Sequence, residues 1–212
     1  MVMEIFVTAI GTDSGKSVVS AILTEALNAD YWKPVQAGFP TDTEGVHSIL
    51  PTQKEKIKEG YLLKHPMSPH AAAELEGITI DLDQIVVPEY KNEILIVEGA
   101  GGIMVPLNDK DMVIDIPQKH QMPVILVSNI YLGNINHTLL SINELKRRGL
   151  NLMGIVFNGE NNEATKSIIL KHADCPELFH LPQLESVNKE TVQEVANNVK
   201  ENLIKNITHY HE

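Results

Sequence analysis

Five short apolar runs punctuate the chain without the polar alternation of a half-exposed strand: EIFVTAI (4–10), YWKPV (31–35), EILIVE (93–98), PVILVS (123–128) and LMGIVFN (152–158). A strand apolar on both parities is buried on both faces, as in a parallel sheet covered by helices. ELFHL (177–181) is a weaker sixth run, and helical patterns lie between the runs over 15–28, 110–120, 134–148, 161–172 and 189–205. This alternation predicts a doubly wound α/β fold, with a mainly parallel sheet, helices on both faces and right-handed crossovers. Residues 38–92 are less regular, with a helix start expected at Asp81, and read as an excursion from the same domain. The 212 residues carry no repeat, linker or low-complexity tract, so 1–212 is expected to form a single domain.

The first run leads directly into AIGTDSGKS (9–17). Gly15-Lys16-Ser17 after a strand signal and before a helix signal is the context of a phosphate-binding loop. N–H groups at a helix start lack intrahelical partners and carry positive partial charge, so they receive phosphate oxygens. Gly15 allows close backbone approach, Lys16 supplies a point charge to the outer phosphates, and the Ser17 hydroxyl can ligate Mg²⁺. The strict template places glycine where Ile10 stands; Gly11 keeps the loop adaptable, and Thr12, Asp13 and Ser14 give it a polar lining.

Phosphoryl chemistry also needs carboxylates, and in open α/β sheets ligands gather at the carboxyl ends of strands. Glu98 ends the third run, just before Gly99-Ala100-Gly101-Gly102, where the chain is expected to turn away. It would stand beside the phosphate loop if its strand neighbours the first. Lys33, inside an apolar strand, either faces an anionic reaction centre or snorkels to the surface. Asp42 and Glu44 follow in a polar stretch from which either could reach a metal. YLGNINHTLLSINEL (131–145) reads as a loop entering an amphipathic helix whose N-terminus could bind a carboxylate.

Other classes are disfavoured. The formal net charge of −11, with no dense Lys/Arg run, argues against a nucleic-acid partner. Cys175 is the single cysteine, which excludes an intrachain disulfide and reads as an inert core thiol. No apolar run approaches the ~18 residues of a membrane span, and the opening MVMEIF lacks a basic segment. A cytoplasmic protein is expected.

With these residues placed, the chain resembles the dethiobiotin synthetases, ATP-dependent enzymes of biotin biosynthesis built on the P-loop NTPase fold. FVTAIGTDSGKS, YWKPVQAG, VEGAGGIMVPL and YLGNINHTLLSINELKRRGL carry the resemblance in order, with SPH (68–70) and IVFNGE (155–160) adding to it. The resemblance implies addition of CO₂ to one amine of 7,8-diaminopelargonate, phosphorylation of the carbamate by ATP to a carbamic-phosphoric anhydride, and ring closure by the second amine. It assigns catalytic roles to Lys33, Lys16 and Thr12, and Mg²⁺ to Ser17, Asp42 and Glu98. The implied nucleotide site takes Asp13, Ser14, Gly15, Lys16, Ser17 and Val18 from the loop. It adds Asp42, Glu98, Gly99, Ala100, Gly101, Asn158 and Gly159, with Asn158 reading adenine, and Pro182, Gln183 and Leu184 closing over the base. Substrate contacts are implied for Lys33, Ala37 and the helix start Gly133, Asn134, Ile135 and Asn136. The last four would come from the opposite subunit of a homodimer with composite active sites. The chain departs from the family pattern at Ala9 (glycine there), Asp13 (a longer acid) and Ala37, where many members place a hydroxyl, leaving that hydrogen bond to Gln36 or absent.

Two other readings belong to different classes. A regulatory ATPase of the same superfamily would carry a lysine early in the loop, where Gly11 stands. A non-catalytic nucleotide-binding module would have little use for Lys33. A related amidotransferase-type ligase would need a glutaminase domain for which 212 residues leave no room.

Overall fold

The computed structural model describes residues 2–209. β1 (Met3–Ala9) leads through the loop into α1 (Lys16–Ala26) and then β2 (Asp30–Trp32). β3 (Val35–Ala37), α2 (Asp42–Ile49), β4 (Tyr61–Leu63) and α3 (Pro69–Leu75) form the excursion. β5 (Ile94–Gly102), α4 (Asp115–His120), β6 (Val124–Asn129), α5 (Asn134–Arg147), β7 (Leu152–Asn158), α6 (Glu163–Ala173), β8 (Glu177–Leu181) and α7 (Lys189–His209) complete the chain. Six strands form one sheet in the order β2-β5-β1-β6-β7-β8, and every pairing in it is parallel. The order reverses around β1, so the carboxyl ends of β1, β5 and β6 open onto one crevice, where such sheets bind ligands.

Successive strand residues point to opposite faces, and the core divides accordingly. Ile5, Val7 and Ile96 pack with Ile22 and Leu23 of α1 and Val192 and Ala196 of α7. Phe6, Leu95 and Val97 pack on the other side with Trp32, Ile103, Val113 and Ile116. A third cluster, with Leu126, Ile155 and Phe157 against Ile142 and Ile169, closes the α5–α6 side. Each strand face is thereby covered, as its apolar parities require. Burial pushes the Cys175 thiol up to about 11, leaving it protonated and inert near neutral pH.

Several expectations are corrected. YWKPV is not one strand: Tyr31 and Trp32 pair with β5, whereas Val35–Ala37 pair with β4 in a separate two-stranded sheet. Pro34 has no N–H to continue a ladder, and the break falls there. Glu98 does not end its strand; β5 runs on through the glycines to Gly102, with a register irregularity against β1 between Val7 and Ala9. The helix expected over 110–120 is confined to 115–120. Upstream, the Asn108 side chain accepts hydrogen bonds from the N–H groups of Lys110 (2.7 Å) and Asp111 (2.8 Å), closing a turn that competes with helix. At Asp81 there is only a single 3-10 turn, Leu82–Gln84, with Asp81 as its cap. Finally, α2 and α3 are regular helices within a stretch that reads as irregular. Thr41 and Glu44 form a reciprocal capping box at the start of α2, with hydrogen bonds of 3.1 and 3.4 Å.

Candidate active site

The phosphate loop closes over its own backbone. Ser14 Oγ donates to Gly11 O (3.1 Å), and Lys16 Nζ reaches the same carbonyl (3.3 Å). Gly15 adopts φ 88°, in the left-handed region that favours glycine. Burial, and then the neighbouring Lys33 charge, lower the Lys16 pKa to about 8. An ammonium desolvated in this way gains a partner when an anion enters the loop.

Parallel pairing brings Glu98 to the loop, since it stands opposite Val7 on β1. Its carboxylate is fully buried. Oε1 accepts from Ser17 Oγ (3.0 Å) and Lys33 Nζ (2.9 Å), while Oε2 accepts from Tyr31 OH (3.0 Å). Lys33, only 2% exposed, also meets Asp42 Oδ2 at 2.6 Å and Gly99 O at 3.1 Å. Of the two readings of Lys33, the structure takes the inward one. Burial alone would lower its pKa, but Glu98 and Asp42 outweigh burial and hold the ammonium above its ordinary value. Burial and the Glu98 charge raise the Tyr31 phenol well above its ordinary range, so it stays a donor.

Asp42 occupies the first turn of α2, and its N–H donates to Gln36 Oε1 (3.1 Å). Glu44 is engaged in the capping box, which leaves Asp42 as the acid turned toward Lys33. A cavity of about 860 Å³ joins these groups: Thr12, Asp13, Gly15, Lys16, Ser17, Val18, Lys33, Ala37, Asp42, Glu98, Ala100 and Gly101 line it, together with Gln36, Gly38–Pro40 and Pro66–Pro69. Gly99 contributes its carbonyl from behind.

Other expected residues lie apart. Asn158 ends β7, and its amide donates to Ser14 O (3.0 Å), buttressing the loop from the side opposite Glu98. Gly159 N–H donates to Leu181 O (2.9 Å), so the segment Pro182, Gln183 and Leu184 leaves β8 beside Asn158. Gly133 (φ 105°) opens α5; Asn134 is buried, and its amide donates to Ser128 Oγ (3.3 Å), whereas Ile135 and Asn136 are exposed. None of Gly133, Asn134, Ile135 and Asn136 lines the cavity of their own chain.

The sequence reading leaves out Tyr31, although a signal for it exists. It stands two residues before Lys33, the spacing that puts both on one side of an extended chain. Phe39 and the Pro66–Met67 wall belong to the irregular excursion and carry no such signal.

Two carboxylates and a hydroxyl are hard oxygen donors that suit Mg²⁺ held jointly with phosphate oxygens, and in the structure the Lys33 ammonium already bridges Glu98 and Asp42. Among the described residues no group of three His, Cys, Asp or Glu side chains could hold a metal alone.

A family model described as an AAA domain matches residues 3–191. The ATP-dependent dethiobiotin synthetase of Cytophaga hutchinsonii is 53% identical over 193 residues, spanning 90% of this chain and 94% of that one. The chain belongs to the dethiobiotin synthetase family. A second synthetase, from Christiangramia forsetii, is 44% identical over 93% of this chain and 96% of its own. Among solved structures, the septum site-determining protein MinD of Pyrococcus horikoshii, complexed with Mg-ADP, superposes with a TM-score of 0.56 at 15% identity, covering 95% of this chain and 97% of its own. A ParA family ATPase from Chlorobium tepidum gives 0.54 at 12% identity, covering 94% and 91%. At such identities the likeness is one of fold alone, a parallel sheet covered by helices on both faces.

Proposed function

We propose that the chain catalyses ATP-dependent synthesis of dethiobiotin from 7,8-diaminopelargonate and CO₂. The observation that carries this reading is Lys33: a buried ammonium fixed between Glu98, Asp42 and Gly99 O, in one cavity with the phosphate loop. A binding module needs no second buried lysine beside the loop; a phosphoryl-transfer site does, because charge develops on the transferring group and fixed cations stabilise it there.

The chemistry balances as follows. One amine adds to CO₂ and loses a proton, giving a carbamate. A carbamate oxygen takes the γ-phosphoryl group of ATP, and ADP leaves. The second amine then attacks the activated carbonyl carbon, loses a proton and expels phosphate as the ring closes. In this sequence Lys33 stabilises the carbamate and the transferring phosphoryl group, and Lys16 and the loop N–H groups hold the β- and γ-phosphates. Thr12 and Asp13 line the phosphate side. Ser17, Asp42 and Glu98 would hold Mg²⁺, which when bound offsets phosphate charge. Asn158, with Pro182–Leu184, would take the adenine end. The wall of Gln36–Pro40 and Pro66–Pro69 is the place for the diamine; the Gln36 amide is tied to Gly38 O (3.2 Å) and the Asp42 N–H (3.1 Å), so the hydrogen bond that Ala37 cannot make is absent.

The enzyme is proposed to act as a cytoplasmic homodimer. Tyr131, Leu132, Ile135 and Leu140 on and before α5, with Met104, are large apolar residues left exposed on one chain. Pairing this surface would bring the N-terminus of a partner's α5 to the cavity and the substrate carboxylate. Among the described residues no helix is long and apolar enough to cross a membrane.

The test is phosphate release from MgATP and bicarbonate, with and without 7,8-diaminopelargonate, on the wild type and Lys33→Ala. Diamine-dependent release that disappears in the variant is expected. Turnover independent of the diamine overturns the reading.

A further inference from the structure

Glu98 divides its two oxygens between different tasks. Oε1 takes the Ser17 hydroxyl and the Lys33 ammonium, the groups of the phosphate side, and among the described residues Oε2 takes only the Tyr31 hydroxyl. The sheet builds this division. Tyr31 on β2 pairs with Ile96 on β5, so Glu98, two residues further on, is its diagonal neighbour on the same face. The Tyr31 ring is fully buried and is met edge-on by His47 of α2, with centroids 6.1 Å apart and planes at 73°. The same ring thus touches both the strand that carries Glu98 and the helix that begins at Asp42.

We propose that Tyr31 is a positioning residue for metal–nucleotide binding: its hydroxyl anchors Oε2 of Glu98 so that Oε1 is presented to the phosphate loop and the metal. The proposal rests on the reading of Glu98 as a metal-holding residue. A buried carboxylate whose second oxygen lacks a partner can rotate to seek one, and Oε1 then loses its alignment. Hydrogen bonds that orient a ligating carboxylate set metal affinity rather than the chemistry itself.

The experiment uses Tyr31→Phe, which removes the hydroxyl and keeps the ring, in the full chain with Mn²⁺ as probe. Mn²⁺ bound to the ADP complex is measured by electron paramagnetic resonance, and phosphate release is measured against Mg²⁺ concentration. Mn²⁺ affinity is expected to fall about 10-fold, and half-saturating Mg²⁺ to rise by the same factor. Turnover at saturating Mg²⁺ and ADP affinity in EDTA are expected to stay within about twofold of wild type.

Trp32→Phe is the comparison. It removes a buried donor from the same strand, Trp32 Nε1 to Lys58 O (3.0 Å), in the cluster on the opposite face. It should lower thermal stability and leave Mn²⁺ affinity unchanged. If Tyr31→Phe behaves like Trp32→Phe, Tyr31 only fills the core and the proposal is overturned. Glu98→Gln separates the two levels: Mn²⁺ affinity unchanged in that variant overturns the role of Glu98 itself, whereas a loss there with none in Tyr31→Phe overturns the positioning role alone.

Discussion

A β-carbon added to Gly15 would collide with the side-chain amide of Asn158, which donates at 3.0 Å to the carbonyl of Ser14. The loop therefore has a ceiling, and glycine is needed there both for its φ of 88° and for clearance. Gly15→Ala is expected to weaken ATP binding at least ~10-fold, from about 1–3 kcal/mol of backbone strain together with the displaced amide. Adding Asn158→Ala should not restore binding, because it removes the clash but leaves the strain and takes away both the hydrogen bond to Ser14 O and the proposed adenine contact. Calorimetric titration of both variants decides the matter; full recovery in the double variant would show that φ is unimportant.

Lys33→Met removes the cation between Glu98 and Asp42. An uncompensated buried charge typically costs about 3–5 kcal/mol. The midpoint of urea unfolding should fall accordingly, and MgCl₂ should restore part of the loss in this variant while changing the wild type little. Equal responses to Mg²⁺ in the two proteins would contradict the view that lysine and metal address the same oxygens.

Lys16→Met should do the opposite to the nucleotide-free protein. The ammonium is desolvated and repelled by Lys33, so its removal is expected to stabilise that state by up to about 3 kcal/mol while ATP binding is lost. The folded-state pKa, about 8, lies below the ordinary 10.5. The penalty is therefore full below pH 8 and fades as pH rises toward 10.5, and the two unfolding curves should converge over that interval. A variant less stable than wild type at pH 7 would refute the desolvation account.

Leu140, 60% exposed on α5, is placed at the proposed subunit contact. Leu140→Asp is expected to yield a monomer by light scattering, to abolish diamine-dependent phosphate release, and to leave ATP affinity within about twofold. A dimer that persists with full activity would move the contact elsewhere.

The main sheet is legible in the sequence because parallel strands covered on both faces are written as unbroken apolar runs, and 123–128 and 152–158 appear within a residue of their positions. The phosphate loop is legible because its chemistry is local, lying between one strand and one helix. The partition of YWKPV between two sheets is not, because only its partners distinguish Trp32 from Val35. Nor are α2 and α3: α2 is set by a capping box and packs just two buried residues, Thr43 and Val46, too little apolar face to register as periodicity. The pairing of Lys33 with Glu98 needs the strand order β2-β5-β1, which no single segment states.

The break at Pro34 has a further consequence. Glu98 stands on the six-stranded sheet and Lys16 and Ser17 open the helix that follows its strand β1, whereas Gln36, Ala37 and the approach to Asp42 follow the small sheet of β3 and β4. The half of the cavity that would grip a nucleotide and the half that would choose its acceptor thus hang from different frameworks, joined at one lysine. Natural or designed change in the excursion can retune acceptor choice while the energy-supplying half is inherited intact.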